Sequence, residues 1–285
     1  MDALLLSSCQ DTLLPAGESA LAARVYKAPT RRRDAPLVLH LHGGAFTGGD
    51  LGSGELVARL LAEAGAVVVD VDYPSGPGQV FPKALNALSA LLRGLHQRRA
   101  QLAGKGSPLL VAGEEAGGNL AAALALVARD QGAPALAGQI LIGPMLNPCL
   151  ATPSLRQAEA GDAQCRWSQG WRAYLGQCVE GEHPYAAPAC TQRLAGVAPA
   201  LVISTEDDPM RDEALAYARA LRRAGVVVQQ ALLAGPSGWP QSLMRLAPAI
   251  ARDSPWLRTL GQRLRDFLSL FPPGASAPLA PPRPA

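Results

Sequence analysis

Short apolar runs recur along this chain at intervals that leave room for one helix between most of them. Leu37 to Leu41, Val67 to Val71, Leu109 to Ala112, Gln139 to Ile142, Ala200 to Ile203 and Val226 to Leu233 have strand length. Most are predominantly apolar rather than strictly alternating, as expected of strands covered on both faces in a parallel sheet. The intervening segments Gly54 to Ala64, Pro82 to Arg99, Ala116 to Arg129 and Arg211 to Ala224 place apolar residues at helical spacing, and Gly225 closes the last. The alternation predicts an α/β fold, a mainly parallel central sheet flanked by helices. Weaker runs at Ala3 to Ser7 and Ala22 to Lys27 predict antiparallel strands at one edge.

The pattern breaks between Asn147 and Ala195, where Trp167, Trp171 and Tyr174 share helical spacing and no strand-like run intervenes. This predicts a small helical cap, residues 147–195, inserted between two parts of one core, residues 1–146 and 196–271. After a last helix, Pro255 to Leu270, residues 272–285 are so rich in Pro and Ala that a disordered tail is expected.

Bulk properties narrow the function classes. A chain of 285 residues buries enough surface to need no disulfide or metal. A net charge of +3, with Arg31-Arg32-Arg33 the only basic run, indicates neither a nucleic-acid nor a membrane-surface partner. Five cysteines without a C-x-x-C pair suggest reduced thiols, no metal and no disulfide framework. No apolar run reaches membrane-spanning length. The expectation is a cytoplasmic protein without metal or cofactor.

Two segments carry candidate chemistry. His40-Leu41-His42-Gly43-Gly44-Ala45-Phe46 follows a strand, and its adjacent glycines let backbone N–H groups approach a ligand oxygen, as an oxyanion hole requires. Gly113-Glu114-Glu115-Ala116-Gly117-Gly118-Asn119 follows another strand and opens a helix, the setting of a nucleophile elbow whose middle residue attacks the substrate. That residue is Glu115. Two glutamates and the lack of a lysine exclude a phosphate-binding loop.

With these motifs the chain resembles the hormone-sensitive-lipase-like branch of the α/β-hydrolases, bacterial carboxylesterases related to arylacetamide deacetylase. The family's HGGG segment corresponds to His42-Gly43-Gly44-Ala45, and its G-D-S-A-G-G-N-L elbow to Gly113 through Leu120. Further matches are Asp72-Tyr73, Phe81-Pro82-Lys83-Ala84, Gly143-Pro144-Met145-Leu146, His183-Pro184-Tyr185 and Asp208-Pro209-Met210-Arg211-Asp212-Glu213. The resemblance implies the α/β-hydrolase fold and an oxyanion hole from the backbone N–H groups of Gly44, Ala45 and Ala116. His42, Gly43, Gly117 and Tyr73 would line the binding region. It implies Asp208 as the triad acid, with Glu115 at the nucleophile position and Ser237 at the histidine position. All four histidines, His40, His42, His96 and His183, precede Asp208, so the family's Ser-Asp-His order cannot be formed.

Three readings of Glu115 follow. It could replace serine as a carboxylate nucleophile, which still needs a base, and only His183 of the cap could reach down. It could serve as a general acid or base beside Gly44 and Ala45 in a lyase, dehydratase or cyclase reaction. Or it could swing into the oxyanion hole and accept the N–H bonds meant for a tetrahedral intermediate. The expected partner is a small acyl- or ester-like molecule, and the sequence leaves a homodimer open. Glu114, in place of the family's aspartate, reads as structural.

Overall fold

The computed structural model describes residues 7–29, 31–157, 161–176, 183–244 and 254–272. Eight strands form one sheet in the order β1-β2-β4-β3-β5-β6-β7-β8. They are β1 (Ser8–Ala16), β2 (Ser19–Lys27), β3 (Leu37–Leu41), β4 (Val67–Val71), β5 (Leu109–Glu114), β6 (Gly138–Ile142), β7 (Ala200–Thr205) and β8 (Val228–Leu233). From β4 to β8 the neighbours pair in parallel, while β2 pairs antiparallel with both β1 and β4. Strands β3 to β7 are buried along their whole length, which is why their sequences do not alternate.

The edge hairpin departs from expectation. Part of the run proposed as its first strand, residues 3–6, lies outside the described residues, and the strand itself is Ser8–Ala16. Its first six residues include Ser8, Gln10, Asp11 and Thr12 and are mostly exposed, so burial left no hydrophobic pattern to read there. Gly17 turns the chain with φ of 75°.

Helices cover both faces. On one side lie α1 (Glu55–Glu63) and α7 (Pro255–Leu268), whose Leu56, Leu60, Leu61, Trp256, Leu260 and Phe267 pack on Val38, Val68, Leu110 and Ile140. On the other lie α2 (Lys83–Leu102), α3 (Glu115–Gln131) and α6 (Arg211–Arg223), packed on Leu37, Leu39, Val69, Val111 and Val202. From Glu115 to Ala128 every residue of α3 is buried, so it is a core helix and not an amphipathic surface one. Two helices, α4 (Pro153–Gln157) and α5 (Gly161–Leu175), occur between β6 and β7 where the alternation breaks. The proposed tail, apart from Pro272, lies outside the described residues.

The strand order sets the position of the site. β3 leads through α1 to β4 on one side, and β4 leads through α2 to β5 on the other side of β3. The loops after β3 and β5 therefore diverge at a topological switch point, the crevice where open α/β sheets bind ligands.

Candidate active site

Each sequence-predicted residue lies just beyond the carboxyl end of a strand. Gly43, Gly44 and Ala45 follow β3, Glu115 follows β5, Asp208 follows β7 and Ser237 follows β8. Glu115 takes the strained left-handed conformation of an elbow, with φ of 50°. The turn closes because its glycines carry no side chain: a Cβ on Gly113 would sit 2.3 Å from the Gly117 carbonyl oxygen, and one on Gly117 would sit 2.0 Å from that of Leu41.

In the loop after β3, Gly44, Ala45 and Phe46 have φ of 138°, 51° and 58°. Left-handed Ala and Phe cost about 1–2 kcal/mol each, and the return is a pair of successive N–H groups converging on one point. That point is occupied by the Glu115 carboxylate. Its Oε2 accepts from Gly44 N at 2.6 Å and Ala45 N at 2.8 Å. Its Oε1 accepts from the indole Nε1 of Trp167 at 2.6 Å, and the Arg166 guanidinium lies 3.5 Å from the same oxygen. The carboxylate is fully buried, whereas the Arg166 side chain is about one-third exposed. Ala116 is buried in the first turn of α3 and donates none of these bonds. The described bonds thus draw on two of the three expected amides, plus two α5 side chains.

Trp167 and Arg166 were not legible as site residues. The spacing of Trp167 marks a helix face, and nothing in it shows which loop that face meets. Arg166 carries no motif at all. The approach of α5 depends on Gly170, where a Cβ would fall 1.6 Å from the Ala45 carbonyl oxygen.

His42, Gly43, Gly117 and Tyr73 pack the loop from behind. The Tyr73 hydroxyl donates to the His42 carbonyl at 2.7 Å, and their rings stack at 4.5 Å. His42 Nδ1 lies 2.7 Å from the Gly43 carbonyl oxygen. A Cβ on Gly43 would come within 3.1 Å of Glu115 Oε2, so this glycine gives the carboxylate its room.

Asp208 is buried, accepting from Ser204 Oγ at 2.7 Å and Met210 N at 2.9 Å. Burial pushes its carboxyl up to about 6 against those two donors, and the nearby charge of Glu115 adds to the rise. Ser237 is bonded to the neighbouring acid instead. Its hydroxyl donates to Asp207 Oδ1 at 2.8 Å, and its N–H donates to Asp207 Oδ2 at 2.7 Å. The Ser237 oxygen is also 2.8 Å from Thr205 Oγ1 and accepts from Trp239 N at 3.2 Å, so the hydroxyl is fully engaged. Burial pushes the Asp207 carboxyl up, but donors from Gly238, Ser237 and Thr205 hold it below the ordinary aspartate range.

His183 is exposed, and its described contacts are the rings of Phe81 at 5.1 Å and Tyr185 at 5.3 Å, with the Tyr185 N–H on its Nδ1. None of these involves Glu115.

Behind the site stands a buried ionic row that the sequence did not reveal. His40 Nδ1 lies 2.8 Å from Asp70 and its Nε2 lies 2.7 Å from Glu114, all three side chains being fully buried. His40 and Asp70 are register partners on β3 and β4. Burial opposes charge on His40, but Glu114 and Asp70 overcome it and hold the imidazolium up to about 10. Glu114 Oε1 accepts a longer bond, 3.3 Å, from Gly43 N, which links this row to the loop that holds Glu115.

A family model for the alpha/beta hydrolase fold, Abhydrolase_3, matches residues 38–236. Carboxylesterase NlhH of Mycobacterium tuberculosis is 36% identical over 221 residues, covering 75% of this chain and 69% of that protein. Arylesterase of Saccharolobus solfataricus is 30% identical over 210 residues, covering 72% and 68%. Among solved structures, a thermostable esterase from Pseudomonas putida ECU1011 superposes with a TM-score of 0.82 at 28% identity, over 95% of this chain and 85% of that one. A bacterial heroin esterase does so with a TM-score of 0.79 at 28% identity, over 93% and 86%. The strand order, the strained elbow after β5 and the match from β3 to the loop after β8 agree: the chain belongs to the alpha/beta hydrolase family, in its hormone-sensitive-lipase-like, carboxylesterase-like branch.

Proposed function

We propose that this chain is a carboxylesterase-like protein silenced in the serine mechanism, with Glu115 filling its own oxyanion hole and the region under the cap kept for binding a small molecule. The observation that carries this reading is the pair of hydrogen bonds from Gly44 N and Ala45 N to one oxygen of Glu115. In a working esterase those donors must be free for the oxyanion of the tetrahedral intermediate. Here a covalently attached carboxylate holds them, and a substrate carbonyl has to displace it.

Two further features support the reading. The residue at the histidine position, Ser237, has its hydroxyl engaged by Asp207, Thr205 and the Trp239 N–H, so it relays no proton from Asp208. A serine is also no general base at neutral pH. Loss of either nucleophile or base alone costs on the order of a million-fold in kcat. Chains similar to this one are named carboxylesterase and arylesterase, and this reading puts the loss of such activity at residues 115 and 237.

Glu115 as a nucleophile or general base is the less favoured reading, because its described hydrogen-bond partners are all donors aimed at the carboxylate and none of them is a histidine. Steady-state assays with p-nitrophenyl acetate and butyrate test the proposal. The native protein should give turnover no more than about 10³ to 10⁴ over water, the level that a free oxyanion hole and binding together sustain without a triad. Ordinary esterase turnover that Glu115→Ala or Glu115→Gln abolishes would contradict it and favour the glutamate enzyme.

A further inference from the structure

The Glu115 carboxylate is gripped from two separate parts of the chain. The loop after β3 supplies two backbone donors to Oε2, and helix α5 supplies the Trp167 indole and the Arg166 guanidinium to Oε1. None of these groups can accept a hydrogen bond. The same helix has further donor capacity, since Arg166 Nε and Trp171 Nε1 are buried without a hydrogen-bond partner among the described residues. Buried donors left unpaired cost free energy, and a ligand that accepts from them recovers it.

This donor set discriminates among ligand classes. A tetrahedral oxyanion or an ester carbonyl presents one strong acceptor to the loop and leaves no charged oxygen for Arg166. An alcohol or amide would turn a hydrogen toward groups that already donate. A carboxylate presents two equivalent anionic oxygens in one plane, one for the loop and one for the indole and guanidinium, and charge-assisted bonds of this kind are the strong ones.

We infer that this donor set selects a free carboxylic acid in its carboxylate form, and that Glu115 is a built-in competitor for the same donors. This rests on the reading that Glu115 fills the oxyanion hole. In the native chain an incoming acid competes with a tethered carboxylate at high effective concentration, so it binds far more weakly than to a chain lacking that side chain. Glu115→Ala removes a CH2–COO− unit, the size and charge of acetate, while Gly44, Ala45, Trp167 and Arg166 stay in place.

The experiment is a thermal-shift titration of Glu115→Ala with sodium acetate, with acetamide and sodium chloride as controls at matched ionic strength. Acetate is expected to raise the Tm of the variant by about 3 °C or more near saturation, and acetamide is not. Adding Arg166→Gln or Trp167→Phe to the variant should weaken acetate at least tenfold, and the native protein should respond at least tenfold more weakly than Glu115→Ala. Equal responses to acetate and acetamide, or equal responses of native and variant, would overturn the inference. If Glu115→Ala is recovered only unfolded, refolding it with acetate against acetamide reads the same contrast. Ester turnover by the native protein would defeat the occupancy reading on its own, so the two failures are told apart.

Discussion

At the scale of single residues, the adjacent acids Glu114 and Glu115 meet different fates. Glu115 is met by N–H donors, while Glu114 faces the His40 ring at 2.7 Å with Asp70 on the far side of that ring. Removing one member of such a buried ionic row leaves the others uncompensated, which typically costs about 3–5 kcal/mol. His40→Gln is therefore expected to destabilise the protein by that amount in chemical denaturation, more than any conservative surface change. Glu213 gives a pH-dependent prediction. Burial pushes its carboxyl from the ordinary 4.5 up to about 8, against the Leu146 N–H that it accepts at 2.9 Å. Between those values the native state holds a proton that the unfolded chain has released. The group's contribution is complete below about pH 4.5 and is lost as pH rises through about 8. Asp208, raised to about 6, acts in the same direction over a lower window. Glu213→Gln keeps an acceptor for Leu146 N and carries no charge, so its Tm should exceed the native value at pH 8.5 and converge with it near pH 4.5. A constant difference across that range would refute the assignment.

At the scale of elements, legibility in the sequence followed burial. Leu37–Leu41 and Val67–Val71 were readable to the residue because strands covered on both faces are mostly apolar, with His40 and Asp70 the single polar residue in each. β1 was not read from the sequence because its first residues are polar and mostly exposed. The elbow was readable because Gly113 and Gly117 are demanded by close backbone approach within one short segment. The grip of α5 was not, because it joins residues about 120 positions after the loop they face and depends on a chain path that no local pattern encodes. Gly170 is the point where that path is fixed. A methyl group there has no room beside the Ala45 carbonyl, so Gly170→Ala should lift α5 from the loop despite the better helix propensity of alanine. The measurable result is a lower Tm together with a local rise in hydrogen exchange at Gly44 and Ala45. A variant as stable as the native protein, with unchanged exchange, would show that α5 does not seal the loop.

At the scale of the whole molecule, the fold and the proposed silencing of the site are separable. The sheet and both helical layers are those of the alpha/beta hydrolase family, and Gly44, Glu115, Asp208 and Ser237 all follow the carboxyl ends of strands. The proposed silencing lies in the occupant of the donors and the side chain at 237. The scaffold therefore predicts that hydrolysis is recoverable by restoring both groups together, since nucleophile and base act as a unit. The direct measurement is kcat on p-nitrophenyl butyrate for the native protein, Glu115→Ser, Ser237→His and the double variant, side by side. The double variant should hydrolyse the ester at least about 10²-fold faster than the native protein or either single change. Ordinary turnover by the native protein, lost in Glu115→Ala, would contradict it.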